Sequence, residues 1–376
     1  NFGFIYSRLA NPTVAVLEER LASLEGGRGA ACTASGHAAQ LLTFFAFMEP
    51  GDEFLASTRL YGGSIIQFGK SFKKFDWRAR FVDMDDLDKV RAALTPQCKA
   101  IFVESLANPG GVVSDLEALA AVAKDAGIPL IVDNTLATPY LCQPLDWGAD
   151  LVVHSTTKFL SGSGTALGGA VIDSGRFDWS RSGRYGSLAE PEPAYHGLSF
   201  YETFGDMAFT THAHAVGLRD LGATQAPMNA FLTLLGLETL ALRMERHCEN
   251  ALTIAKFLTD HPKVAWVSHA GLADSPYHQL ARKYLPKGAG AVFTCGLKGG
   301  YDAGRKLVES VDLFSHLANI GDARSLILHP ASTTHRQLSD AQRSAAGAGN
   351  DVVRLSVGLE TADDLLRDLD NALAQV

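Results

Sequence analysis

Basic charge is what this chain is short of: 33 Lys and Arg stand against 41 Asp and Glu, leaving a net charge of −8. A nucleic-acid binder needs a cationic face to neutralise phosphates, so the balance argues against that class. The one cationic cluster, "GKSFKKFDWRAR", is broken by apolar residues and reads as a solvated loop with strand edges. Cysteine is scarce too. Cys32, Cys98, Cys142, Cys248 and Cys295 are scattered, odd in number and without metal-ligand spacing, a usage that fits a reducing cytoplasm. No apolar run reaches the roughly 18 residues that a membrane-spanning helix needs. The opening "NFGFIYSRLANPT" has neither a methionine nor an apolar signal core, so the protein is expected to extend upstream of Asn1. His212 and His214 in "THAHA" lack the carboxylate or cysteine pattern of a metal site and read as surface or loop residues; no metal is expected. The glycine-rich "SGSGTALGG" does not open a helix after a strand, and no G-x-G-x-x-G follows the first strand, so a nicotinamide-dependent α/β enzyme is a weak alternative.

What is present is a large hydrophobic complement, 47% of 376 residues, enough for two or three domains. "NPTVAVLEERLASLEGG" reads as a helix: Asn11 caps it, Pro12 suits its first turn, Val14, Leu17, Leu21 and Leu24 form its buried stripe, and Gly26-Gly27 end it. Strand-like and helix-like segments then alternate, with strands at "DEFLAS", "KAIFVES", "IPLIVDN", "ADLVVHS" and "GGAVID". The expected fold class is α/β, a mostly parallel central sheet with helices on both faces. The aromatic-rich stretch 174–210 is expected to be an ordered, irregular loop. From residue 227 a long helical stretch, with Gly236 as a kink or close contact, leads to the short strands "KVAWVS", "AVFTCG", "RSLILH" and "VVRLSVG". The expected division is an N-terminal arm and helix over 1–34, a large domain over 35–245 and a smaller C-terminal α+β domain over 246–376.

Chemistry gathers at the strand ends, where loops meet ligands. In "VVHSTTKF" a buried strand runs into Ser155-Thr156-Thr157 and then Lys158. Asp133 ends the strand "LIVDNT", Asn108 follows "ESLANP", Tyr61 follows another strand, and Ser35-Gly36-His37 opens a helix whose free amides suit phosphate. Singly each residue has a bland reading: a solvated lysine, a turn aspartate, a helix cap. Together they offer an anion site, an aromatic plate, a carboxylate, an amide and a lysine. Pyridoxal 5′-phosphate requires that set, with an acid for its ring nitrogen and a lysine for its aldehyde.

The stretches "YSRLANPT", "ASGHAA", "YGGS", "ANPGG", "VDNTLATPYLCQPL", "HSTTKFLSG" and "VRLSVGLE" resemble the Cys/Met-metabolism family of pyridoxal-phosphate enzymes, fold type I. Further stretches, among them "EPEPAYHGLSFYETFG" and "LFSHLANIGDARSLILHPASTTH", resemble its O-acetylhomoserine sulfhydrylase branch. The resemblance implies that Lys158 is the Schiff-base lysine and, with Tyr61 stacked on the ring, the catalytic centre. It implies that Asp133 holds the ring nitrogen, with Thr135 in the same cofactor set. Ser155 and Thr157, with Ser35 and the Gly36 and His37 amides, would hold the phosphate. Asn108 would lie near the ring hydroxyl or the substrate carboxylate, and Arg354, with Ser325 nearby, would clamp that carboxylate. Tyr6 and Arg8 would reach the cofactor of a neighbouring subunit, in a homo-oligomer expected to be a tetramer of two catalytic dimers. His37 departs from the family pattern, and its imidazole is read as incidental to its amide. The implied activity is γ-replacement on O-acetyl-L-homoserine by sulfide, giving L-homocysteine in methionine biosynthesis. Alternatives on the same scaffold are an O-succinyl donor and a cystathionine- or methionine-type γ-lyase.

Overall fold

A computed structural model describes residues 3–107, 111–334, 336–337, 339–340, 343 and 347–376. Its larger sheet is built from β1 (Gly29–Thr33), β2 (Glu53–Ser57), β3 (Arg78–Val82), β4 (Cys98–Glu104), β5 (Leu130–Asp133), β6 (Leu151–His154) and β7 (Gly169–Asp173). Their spatial order among the described residues is β1-β7-β6-β5-β4-β2-β3. Neighbours pair in parallel except at β7, which runs antiparallel to both β1 and β6. The continuous apolar runs have the expected cause. Ile101, Val103, Leu130, Val132 and Val152 bury on one face, while Phe102, Ile131, Leu151 and Val153 bury on the other. That second face meets a phenyl cluster in which the Phe44 and Phe54 rings lie 4.2 Å apart.

The first helix, α1 (Pro12–Glu25), starts where Asn11 Oδ1 accepts from the Thr13 amide at 3.0 Å and ends at Gly26 in the left-handed region. Val14, Leu17 and Leu21 are buried as expected, and Leu24 is partly buried. Glu25 is wholly buried, which its position at a helix end gave no reason to expect. It receives His154 Nε2 at 2.5 Å and Asn134 Nδ2 at 2.9 Å, so it ties α1 beneath the ends of β5 and β6.

A smaller sheet contains β8 (Val264–Ser268), β9 (Val292–Leu297), β10 (Ser315–His316), β11 (Leu326–Leu328) and β12 (Val352–Ser356), in the order β8-β9-β12-β11-β10. One apolar cluster runs from Leu17 through Leu130 and Phe293 to Leu373, so both sheets share a core. The long helical stretch is two helices, Pro227–Leu237 and Leu240–Asp260, and the expected boundary at 245/246 falls inside the second. Gly236 is a close contact: a side chain there would collide with the Leu160 and Ser161 carbonyls.

One strand was missed and two local readings need correction. "GAACT" forms β1, whose small residues carried no strand signal. In the cationic cluster, helical turns over Gln67–Ser71 and Phe72–Phe75 bury Phe68 and Phe72, and Arg78–Val82 is an edge strand paired with β2. His212 is buried against Phe200, with ring centroids 4.9 Å apart, and burial pushes its pKa down to about 4. The 174–210 stretch is ordered as expected, anchored by buried Trp179, Tyr185 and Phe200. Among the described residues no helix is long and apolar enough to cross a membrane.

Asp173, at the end of β7 away from the lysine loop, is 1% exposed. Burial first, then repulsion from Asp150 and Asp206, pushes its pKa from 3.8 to about 7 despite a hydrogen bond from Gly175. A raised acid pKa means that the folded chain holds a proton the unfolded chain releases. Its contribution is complete below pH 3.8 and is lost as pH rises through about 7. Between pH 5 and 8, Asp173→Asn is therefore expected to lose about 2–3 kcal/mol less stability than the wild type, measured by urea unfolding. Equal losses would show that Asp173 does not titrate in this range.

Candidate active site

Parallel strands deliver their carboxyl ends to one edge of the sheet, and the singled-out residues follow from that. Asp133 is the last residue of β5, in register with Glu104 on β4 and Val153 on β6. Its Oδ1 accepts from the Thr135 amide at 3.0 Å and its Oδ2 from Gln40 Nε2 at 3.3 Å. Thr135 Oγ1 in turn accepts from the Ser155 amide at 2.8 Å, linking the β5 and β6 loops.

The anion-binding corner forms where the helix Gly36–Phe45 begins. Ser35 caps it, accepting from the Ala38 amide at 3.1 Å. Gly36 presses on Ser155: an added Cβ would lie 2.8 Å from the Ser155 Cβ. Glycine therefore lets the start of the helix pack directly against Ser155. Among the described residues, the Gly36 and His37 amides have no partner within the chain. Thr157 differs from expectation, since its hydroxyl donates to the Gly168 carbonyl at 3.1 Å and accepts from the Gly168 amide at 3.0 Å. As placed, it closes the loop after Lys158 and has no hydrogen left to donate.

Lys158 lies in the interior of this cleft. Its Nζ donates to Asn319 Oδ1 at 2.5 Å. Burial first, then the Arg354 charge, lowers its pKa and weakens its hold on the ammonium proton. Arg354, on β12 between Thr294 and Leu328, is close enough to Tyr61 and Lys158 to act on both electrostatically. Its Nη2 donates to the Asn319 carbonyl at 3.4 Å. Tyr61 is held through its amide, which donates to Glu104 Oε1 at 2.6 Å, and its ring is half exposed. The His37 ring sits 5.8 Å from the Tyr61 ring and tilted by 37°. Burial lowers the His37 pKa against the pull of Asp133, so a largely neutral imidazole flanks the tyrosine.

Two placements depart from the sequence reading. Ser325 is wholly buried, its hydroxyl donating to Glu360 Oε2 at 2.8 Å and accepting from the Gly358 amide at 2.8 Å. Those bonds brace the turn after β12 and leave no hydroxyl hydrogen for a substrate carboxylate. Tyr6 and Arg8 lie in an exposed arm, the Arg8 guanidinium 5.2 Å from the Tyr6 ring centre and bonded to the Arg219 carbonyl. Their contacts are with each other and the 219–224 segment, not with their own Lys158. Asn108 lies outside the described residues. Sequence reasoning missed Gln40, Glu104 and Asn319. "LANIG" carried one usable signal for the last: Gly321 has φ +72°, and a Cβ there would press on the Lys158–Phe159 backbone.

Comparison with known proteins agrees with this geometry. A family model described as Cys/Met metabolism PLP-dependent enzyme matches residues 1–374. The chain belongs to that family. It is 49% identical to O-acetyl-L-homoserine sulfhydrylase 1 of Thermus thermophilus, over 99% of this chain and 89% of the relative. It is 46% identical to the homocysteine synthase of Schizosaccharomyces pombe, over 99% of this chain and 87% of the relative. A Campylobacter jejuni crystal structure, assigned as an O-acetylhomoserine (thiol)-lyase and containing N′-pyridoxyl-lysine-5′-monophosphate, superposes with a TM-score of 0.96. Its sequence is 43% identical, and the match covers 100% of this chain and 89% of that one. The fold is therefore fold type I and the cofactor is pyridoxal phosphate. The cleft fits that group: unpartnered amides at a helix start, an acid at a strand end and a desolvated lysine converge there.

Proposed function

We propose that this enzyme makes L-homocysteine and acetate from O-acetyl-L-homoserine and sulfide. The observation that carries the reading is Lys158 held desolvated beside Arg354, in a chain whose relatives are sulfhydrylases and homocysteine synthases at high coverage. When bound, pyridoxal phosphate supplies an electron sink for charge developing beside the substrate α-carbon. Asp133 would hold its ring nitrogen, Tyr61 its ring face, and Ser155 with the Gly36 and His37 amides its phosphate. Arg354 receives the substrate carboxylate on its planar fork and so fixes which bond faces Lys158. Lys158 Nζ, its pKa lowered by burial and by Arg354, takes the α-proton and returns protons later. Hydrosulfide replaces acetate at the γ-carbon, so the sum is O-acetylhomoserine plus H₂S giving homocysteine plus acetic acid. The deciding assay compares O-acetyl- and O-succinylhomoserine with sulfide. Faster homocysteine release from the acetyl ester supports the reading, and a clear preference for the succinyl ester defeats it.

The active site is shared in this reading. Tyr6 and Arg8 lie in an exposed arm that contacts the 219–224 segment, and Met228, Phe231, Leu235 and Leu242 leave an exposed apolar stripe along consecutive helices. Both features support a homodimer in which the arm reaches the partner's cofactor, with a tetramer as the larger assembly. Mixing inactive Arg8→Ala and Lys158→Ala variants is then expected to restore about a quarter of wild-type activity on random exchange, since half the dimers are mixed and half their sites whole. No recovery after verified exchange would place Arg8 in its own chain's site. Five free, buried cysteines support a reducing compartment such as the cytoplasm.

A further inference from the structure

Arg243 has no place in the chemistry above, yet its guanidinium hydrogen-bonds the backbone just beyond Lys158. Its Nη1 donates to the Phe159 carbonyl at 2.7 Å, and its Nη2 to the Gly236 carbonyl at 2.8 Å and the Leu160 carbonyl at 3.4 Å. Its Nε donates to Thr239 Oγ1 at 3.2 Å. Burial lowers its pKa, and among the described residues no carboxylate offsets that cost. Carbonyl dipoles at the ends of two turns neutralise it instead, as a cation is stabilised at a helix C-terminus. The fit is close. A side chain on Gly162, at φ +74°, would collide with the guanidinium.

The same helix face reaches the other half of the site. Four residues on, His247 Nδ1 bonds the Val357 carbonyl at 2.7 Å, and its ring stands edge-on to Phe159 at 5.1 Å. Burial pushes the His247 pKa down to about 4, so a neutral ring with hydrogen on Nδ1 makes that bond. Asn250 Nδ2 donates to the Gly358 carbonyl at 3.0 Å and the Glu360 carbonyl at 2.9 Å. Residues 243, 247 and 250 project from one side of a helix. One face thus grips the carbonyls just after Lys158 and those just after Arg354.

We infer that Arg243 is a positioning residue for Lys158: it holds the turn behind the lysine, on the helix that also holds the strand end of Arg354, and so keeps Nζ dry and at a set distance from the carboxylate clamp. Without the guanidinium, the Phe159 and Leu160 carbonyls lose this donor, the turn loosens and water reaches Nζ. The ammonium form then gains stability, and less uncharged amine is available near neutral pH.

This rests on Lys158 being the reactive lysine, so the primary readout is taken on Lys158 itself. Arg243→Ala and Arg243→Lys, with Arg246→Ala as a control on the exposed side of the same helix, are purified with cofactor. The cofactor is then removed, and acylation of Lys158 is followed against pH by peptide mapping. In Arg243→Ala the midpoint is expected to rise by about one pH unit, with Arg243→Lys in between. In the loaded enzyme kcat is expected to fall about 10- to 100-fold, with KM for the amino-acid substrate changing less than about threefold. Added guanidinium should recover part of that loss in Arg243→Ala, and Arg246→Ala should match wild type. An unchanged midpoint in a folded Arg243→Ala protein overturns the inference, as does a kcat loss that guanidinium leaves untouched. Should Arg243→Ala fail to fold, Arg243→Lys decides alone, and a wild-type midpoint there counts against it. Turnover of a different substrate would revise the proposed function and leave the midpoint result standing.

Discussion

Lys158→Ala is expected to lower kcat by about four orders of magnitude or more and to replace the lysine Schiff-base absorbance band of the holoenzyme with that of the bound free aldehyde. Two losses combine. The cofactor loses its covalent attachment, and the substrate loses the group that moves its α-proton, a contribution of about 10²- to 10⁴-fold by itself. Alanine leaves no amine behind: Asn319 keeps its carbonyl oxygen but has nothing to receive, and Arg354 is carried as a guanidinium too basic to accept a proton. Steady-state turnover and the visible spectrum test the expectation together. Activity within tenfold of wild type would mean that another amine attacks the cofactor. The hydrogen-bonded frame over Asp133, Thr135 and Ser155 does not include the lysine side chain, so the variant should still bind pyridoxal phosphate non-covalently.

Arg354→Lys is expected to raise KM for the amino-acid substrate about 100-fold while leaving the cofactor spectrum near wild type. A guanidinium presents two parallel donors to a carboxylate, and an ammonium cannot reproduce that fork. The surroundings enlarge the difference. Burial already lowers the Arg354 pKa, but arginine stays charged because its starting value is so high. A lysine at the same depth, beside Lys158, would lose much of its charge near neutral pH. The second amine would also be relieved of a positive neighbour, so the Lys158 pKa should rise, which predicts a kcat optimum moved to higher pH. Initial-rate measurements across pH separate the two effects. An unchanged KM would assign the carboxylate to another residue.

Much of the site could be read along the chain because its parts are local. Asp133, Ser155 and Lys158 each follow a short run of strand formers, and Ser35-Gly36 is a cap followed by a helix, so residue order alone placed them at loop mouths. The α1 boundaries were legible for the same reason, since Asn11, Pro12 and Gly26 act within a few residues of themselves. Where a segment carries neither period nor punctuation, the reading failed. β1 is made of glycine, alanine, cysteine and threonine, and it is a strand because β7 offers it a backbone edge to pair with.

What only the tertiary structure decided is the set of partners distant in sequence. Lys158 meets Asn319, Asp133 meets Gln40, Glu25 meets His154, and Arg243 meets Phe159; nothing in either segment of such a pair announces the other. Ser325 shows the converse. Its residue type suits a substrate carboxylate, but the turn that brings Glu360 and Gly358 against it takes up its hydroxyl first. The physical reason is the range of the forces that each level records. Backbone propensity, capping and hydrophobic period act over one or two turns, and they determined which elements form and which residues stand at their ends. Whether a polar group at such an end is free, paired or stripped of water depends on what packs against it from elsewhere in the chain. That packing took Lys158 out of solvent, beside Asn319 and Arg354, and lowered its pKa.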